Sequence, residues 1–85
     1  MKKFTYVIKD PNGIHARPAG LLVKIVKGLS SQGTLAFGEK SVDMSKLFAV
    51  MSMGIKVGDQ VTVSVEGNDE EKDITVLEKF FEENF

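Results

Sequence analysis

Val61, Val63 and Val65 take every second position of Gln60–Glu66 and so share one face of a strand. An apolar strand face cannot stand in water; other parts of the chain have to cover it. The chain has 85 residues and no cysteine, so neither disulfides nor thiolate metal sites help to hold a fold. The core must come from apolar faces packed on one another. This length allows a single domain spanning residues 1–85.

The remaining segments supply those faces. Lys3–Ile8 alternates, with Phe4, Tyr6 and Ile8 on one side, and predicts a first strand. Thr34–Phe37 places Leu35 and Phe37 together, Gly38-Glu39 forms a hairpin turn, and Lys40–Asp43 returns with Val42 inward. Leu21, Leu22, Ile25, Val26 and Leu29 have helical spacing and predict a helix from Ala16 to about Lys27, ended by Gly28. Lys46–Met53 predicts a short helix stopped by Gly54. Ile74, Leu77 and Phe81, with Phe80 alongside, give a final helix its buried stripe. Gly67-Asn68-Asp69 precedes that helix, and Asn68 with Glu71 has capping-box spacing. The order is βαββαβα, an α+β chain with helices on one side of a sheet.

Charge excludes several classes of function. Residues 66–85 hold eight acidic residues against Lys72 and Lys79, a net −6; with −1 for the whole chain, residues 1–65 carry +5. The acidic segment reads as a solvated helix face. The basic excess, with Arg17, Lys24, Lys27, Lys40 and Lys46, reads as a surface that steers acidic partner proteins. It is too small for nucleic acid, and no aromatic residues interleave with it. One histidine without cysteine does not build a metal site, and no cofactor is expected. No apolar run is long enough for a bilayer and no leader pattern opens the chain, so a soluble, cytoplasmic protein without membrane insertion is expected.

That single histidine lies in Gly13-Ile14-His15-Ala16-Arg17-Pro18-Ala19. Asn12-Gly13 is a turn dipeptide, and Pro18 is tolerated in a first helical turn, whose N–H groups lack intrahelical partners. His15 therefore falls at or beside a helix N-cap, where unpaired N–H groups and the positive end of the helix dipole favour anions. Arg17 adds a planar fork suited to phosphate oxygens. The same positive groups disfavour an imidazolium, leaving a neutral nucleophile beside the backbone N–H groups of Ala16 and Arg17. No serine or carboxylate is expected beside His15 to offer a hydrolytic triad. These features point to a histidine that carries a phosphoryl group as a shuttle rather than as an autonomous enzyme.

The short second helix is apolar nearly all round, with Leu47, Phe48, Ala49, Val50, Met51 and Met53. Full burial is implausible in a chain this small. Val50 and Ile55 are assigned inward, and Leu47, Phe48 and Met51 to an exposed patch near His15. Methionine suits surfaces that meet several partners.

Gly13–Ala19 resembles the active-site signature of HPr, the histidine-containing phosphocarrier family of the bacterial sugar phosphotransferase system. Ser41–Ile55 is similar to that family's second signature. The resemblance runs from Phe4 to Phe80. It implies an open-faced β-sandwich, a four-stranded antiparallel sheet covered on one face by three helices. It implies that His15 receives a phosphoryl group on Nδ1 from Enzyme I and passes it to the EIIA domains of sugar transporters. It also implies that Arg17 clamps the phosphate. Docking would use the second helix, through Leu47, Phe48 and Met51, together with Gly20, Lys24 and Lys27 of the first. A monomer is expected. The nitrogen-regulatory paralogue, with the same chemistry and other partners, and a non-phosphorylated module docking through Phe48 and Met51 are the alternatives.

The chain departs from this pattern at Ser45-Lys46, where lysine stands at the position of the regulatory serine of Gram-positive members. Regulation by HPr kinase/phosphorylase is therefore not expected, with Ser45 the fallback acceptor. Ser45 is expected to be the N-cap of the second helix, with Lys46 inside its first turn. Gly20, inside the first helix, costs about 1 kcal/mol relative to alanine. It is read as a point of close approach for a partner.

Overall fold

The computed structural model describes Met1–Phe85. The elements are β1 (Lys2–Val7), α1 (Ala16–Gly28), β2 (Gln32–Phe37), β3 (Lys40–Asp43), α2 (Leu47–Met51), β4 (Gln60–Glu66) and α3 (Glu70–Asn84). The strands form one antiparallel sheet in the order β1-β4-β2-β3. The predicted element order holds.

Register puts the apolar faces on one side. Phe4 pairs with Val63, Tyr6 with Val61, Leu35 with Val63, and Val42 with Leu35. Because side chains alternate across a strand, these residues and Val65 line a single face. The helices cover that face. Phe81 of α3 is fully buried and meets Phe4, Tyr6 and Phe85 edge-on or tilted, at ring distances of 5.7, 5.8 and 5.1 Å. Offset aromatic contacts of this kind add to area burial.

Several details differ from the expected pattern. The inward face of α1 is Ala19, Leu22, Val23 and Val26, while Leu21 is exposed and Ile25 half-buried. The α3 stripe includes Asp73, only 3% exposed, with Ile74 half-buried beside it. Asp73 is tolerated there because its Oδ2 accepts the Ser31 N–H at 3.1 Å, tying the turn after α1 to α3. Asn68 does not cap α3. The N-cap is Asp69, whose carboxylate instead accepts from the Ser30 hydroxyl, and Glu70 reaches back to the Gly67 N–H. The helix α2 is shorter than Lys46–Met53 and begins after Lys46, not after Ser45. Ser45 instead lies in the turn before the cap, where both its N–H and its hydroxyl donate to Asp43 Oδ1, at 2.8 and 2.7 Å, and Lys46 is the N-cap.

The topology gathers one end of the molecule. Val7 pairs with Gln60, so β1 ends where β4 begins. The helix α1 starts at that end, and α3 finishes there, its last turn leading to the Phe85 carbonyl that accepts the N–H groups of Lys9 and Asp10. The intervening loop is seated on the segment after α2 by the Ile14 N–H, which donates to the Ile55 carbonyl at 3.2 Å. Gly13 makes this seating possible. It has φ +64°, and a Cβ there would run into the Ile55 carbonyl and lie 2.8 Å from Lys56 Cα.

Gly38, with φ +61° and open space around it, provides the control for that position. Gly38→Ala should cost about 1–2 kcal/mol, the price of a left-handed residue with a Cβ. Gly13→Ala should cost at least about twice as much, because the loop must also lift from Ile55. Urea denaturation of both variants checks this, and equal costs would show that the close approach carries no energy.

Candidate functional site

Asp10-Pro11-Asn12-Gly13 has the residue types of a proline turn, and the Gly13 N–H closes it on the Asp10 carbonyl at 2.9 Å. Asp10 Oδ1 also accepts the Asn12 N–H at 2.8 Å. The chain then passes through buried Ile14 to His15, which is the N-cap of α1 with extended backbone (φ −106°, ψ 171°). Its carbonyl accepts the Ala19 N–H at 3.0 Å, but its side chain makes no capping bond. The imidazole is thus not spent on capping the helix.

The first turn of α1 presents two N–H groups, those of Ala16 and Arg17, and neither has an intramolecular acceptor. Pro18 has no N–H to offer, so these two are the free donors that α1 itself presents in its first turn. Pro18 is also buried, which makes it a packing residue as well as a turn residue. The Arg17 side chain is exposed and forms no ion pair. An imidazole, two free N–H groups and an unpaired guanidinium therefore stand together on the surface, a set of donors suited to a tetrahedral anion.

Sequence reasoning missed the residues that face this set. His15 Nε2 lies 3.2 Å from Asp10 Oδ2, with side chains 38% and 25% exposed. Asp10 is held below the usual carboxylate range, first by the Asn12 N–H and then by His15. Glu83 and Asn84 close the other side of a shallow cleft that also includes His15, Arg17 and Leu21. The Asp-Pro-Asn-Gly turn is legible in the sequence. No local spacing shows that the carboxylate turns toward His15, or that the end of α3 arrives there.

The other expected residues are spread along the helices. Gly20 has open space where a Cβ would be, and nothing in the structure explains a glycine there. Lys24 and Lys27 are exposed on α1, roughly 13 and 18 Å along the axis from His15, outside the His15 cleft. On α2, Val50 is buried as expected, and so is Ile55 just beyond. Phe48 is 87% exposed, whereas Leu47 and Met51 are half-buried against the core, so the expected patch contracts around Phe48. Lys46 is exposed and is the N-cap of α2. No helix is long and apolar enough to cross a membrane, and no cluster of potential metal ligands is present.

Comparison with known proteins bears on this geometry. A family model described as "PTS HPr component phosphorylation site" matches residues 2–83. The phosphocarrier protein HPr of Mycoplasma capricolum is 37% identical over 79 residues, covering 93% of this chain and 89% of the relative. That of Mycoplasma genitalium is 38% identical over 85 residues, covering 99% and 97%. Among solved structures, an HPr from Thermoanaerobacter tengcongensis superposes with a TM-score of 0.90 at 39% identity, covering 96% of this chain and 92% of that one.

Asp43 is held below the usual carboxylate range, first by the Ser45 N–H and then by its hydroxyl. A group lowered on folding contributes stability that is complete above its unfolded value. That contribution is lost as pH falls below about 4, through the folded value. Asp43→Asn should therefore lower the melting temperature at pH 7, with the difference from the parent shrinking as the pH falls below 4. A difference that stays constant with pH would show that the Asp43 charge contributes nothing.

Proposed function

The chain belongs to the HPr family of the phosphotransferase system, and from that premise we propose that His15 is the residue on which it carries the phosphoryl group. The observation that carries this reading is the N-cap imidazole set beside the free N–H groups of Ala16 and Arg17. Enzyme I is the proposed donor and the EIIA domains of sugar transporters are the proposed acceptors.

In this reading the Nδ1 lone pair of neutral His15 attacks the phosphorus of the donor phosphohistidine. The new N–P bond forms as the donor N–P bond breaks, and the donor imidazole leaves with the electron pair. Developing negative charge on the phosphoryl oxygens meets the N–H groups of Ala16 and Arg17, the α1 dipole and the Arg17 guanidinium. None of these needs to give up another partner first. The site is shallow and water-exposed, so it acts as a carrier whose surroundings a docked partner completes. Phe48, standing out from α2, and Leu21, standing out from α1, supply apolar contact for that docking. No serine switch is proposed, since Lys46 has no hydroxyl and that of Ser45 is committed to Asp43.

Incubation with Enzyme I and phosphoenolpyruvate should add one phosphate, lost in acid and kept in base. His15→Ala should take none while remaining folded, and a labelled His15→Ala protein would overturn the assignment. Arg17→Ala should slow transfer by about ten- to a hundredfold, the range of a charge-assisted hydrogen bond. Unchanged rates would leave Arg17 a solvated surface residue.

Phe48→Asp separates docking from folding. It should weaken binding to Enzyme I while changing stability by no more than about 0.5 kcal/mol, as expected for a surface position. Calorimetry of binding together with thermal melting decides this. Unaltered affinity would remove Phe48 from the interface.

A further inference from the structure

We propose that Asp10 is a positioning residue for His15: its Oδ2 accepts the Nε2 proton and leaves Nδ1 as the atom with the free lone pair. The proposal rests on the reading of His15 as phosphoryl acceptor, and it assigns to a residue outside the Gly13–Ala19 motif the choice of nitrogen and proton.

The geometry begins with how firmly Asp10 is held. Its carbonyl accepts the Gly13 N–H at 2.9 Å, its own N–H donates to the Phe85 carbonyl at 2.8 Å, and its Oδ1 accepts the Asn12 N–H at 2.8 Å. Three bonds fix the backbone and one carboxylate oxygen. The second oxygen, Oδ2, is directed at His15 Nε2, 3.2 Å away. A carboxylate can only accept, so the nitrogen facing it must carry the proton. In a neutral imidazole the other nitrogen is then unprotonated. The lowered titration of Asp10 fits a carboxylate that stays charged in this role.

The position of the charge matters as much as the tautomer. A carboxylate beside the accepting nitrogen would repel an anionic phosphoryl group. Asp10 stands instead at the opposite nitrogen of the ring, where it meets a proton. Three other charged features surround the imidazole. Arg17 and the N-terminus of α1 oppose positive charge on the ring, and Glu83, across the same cleft, favours it. Asp10 is the one of these with a direct hydrogen bond to the ring.

Proton bookkeeping gives Asp10 work in both directions of transfer. When Nδ1 gains the phosphoryl group, the Nε2 proton stays in place and the ring becomes cationic. No proton is released. When the phosphoryl group moves on, the N–P bond breaks, its electron pair returns to Nδ1, and neutral imidazole leaves with its Nε2 proton. Loss of that proton beforehand would make the leaving group an imidazolate, a far poorer one. A carboxylate at Nε2 retains the proton on the phosphorylated ring to higher pH.

Asp10→Asn is the informative variant, since its remaining side-chain oxygen can still accept the Asn12 N–H and hold the turn. The first measurement uses the unphosphorylated protein. Long-range proton–nitrogen NMR of His15, well above the ordinary titration of imidazole, reads which nitrogen is protonated. The parent should show Nε2–H. In Asp10→Ala the ratio of Nε2–H to Nδ1–H tautomers should fall about five- to tenfold, the scale of one net hydrogen bond. Nδ1–H as the major form in the parent would overturn the proposal without any variant. The second measurement follows onward transfer from phosphorylated protein against pH. In Asp10→Asn the alkaline decline should begin at lower pH, which a purely structural role for Asp10 would not produce. If phosphate is carried but the tautomer ratio and the alkaline limb are the same in the variants, Asp10 has no such role and the carrier reading stands. If no phosphate is taken up, the carrier reading falls, and the tautomer result still decides how Asp10 acts on the ring.

Discussion

The seating of Gly13 against the Ile55 carbonyl is the constraint on which the site depends. It joins the loop after β1 to the segment after α2, two loops separated in the chain by α1, β2, β3 and α2. A side chain at position 13 would meet both a left-handed backbone and an occupied space. With that contact made, Ile14 is buried, and the next residue has extended backbone as the cap of α1. The imidazole is exposed because its neighbour is anchored.

A second constraint is the number of free donors. A helix N-terminus ordinarily offers several N–H groups without intrahelical partners. Here Pro18 removes one, and the His15 side chain declines the capping role. What remains is a two-donor site beside an imidazole, open to solvent. That arrangement can hold a phosphoryl group without enclosing it, which is what a carrier must do if it is to hand the group on. The Phe85 carbonyl adds a third anchor by holding Asp10, so three distant segments converge on one loop.

Much of this was legible in the sequence. Strict alternation identified the strands, because period 2 leaves little choice of face at Phe4, Tyr6, Val61, Val63 and Val65. The histidine motif located the turn and the helix start. The α1 face was less determinate, since Leu21 and Ile25 have the same helical spacing as Leu22 and Val26, and only the packed sheet decides between them. The caps failed for a different reason. Ser45 has the right chemistry to cap α2, but it lies in a turn that donates to the Asp43 carboxylate, and the helix begins one residue too late for it. Asn68 lost the same role when α3 began one residue later, after Asp69. The acidic end of α3 read as solvated, and most of it is, yet Glu83 reaches the His15 cleft through a topology that no local pattern reports. Asp10 sits in a recognisable turn, but the direction of its second oxygen is a tertiary fact.

The central claim is that a phosphoryl group on His15 rests on the two free N–H groups of the first turn of α1. Backbone amide NMR before and after phosphorylation tests it most directly. The account predicts large downfield shifts of the Ala16 and Arg17 amide protons, with the amides of β4 and of the buried part of α3 unmoved. A phosphorylated protein in which those two amides keep their shifts, or in which the perturbation centres elsewhere, would contradict it.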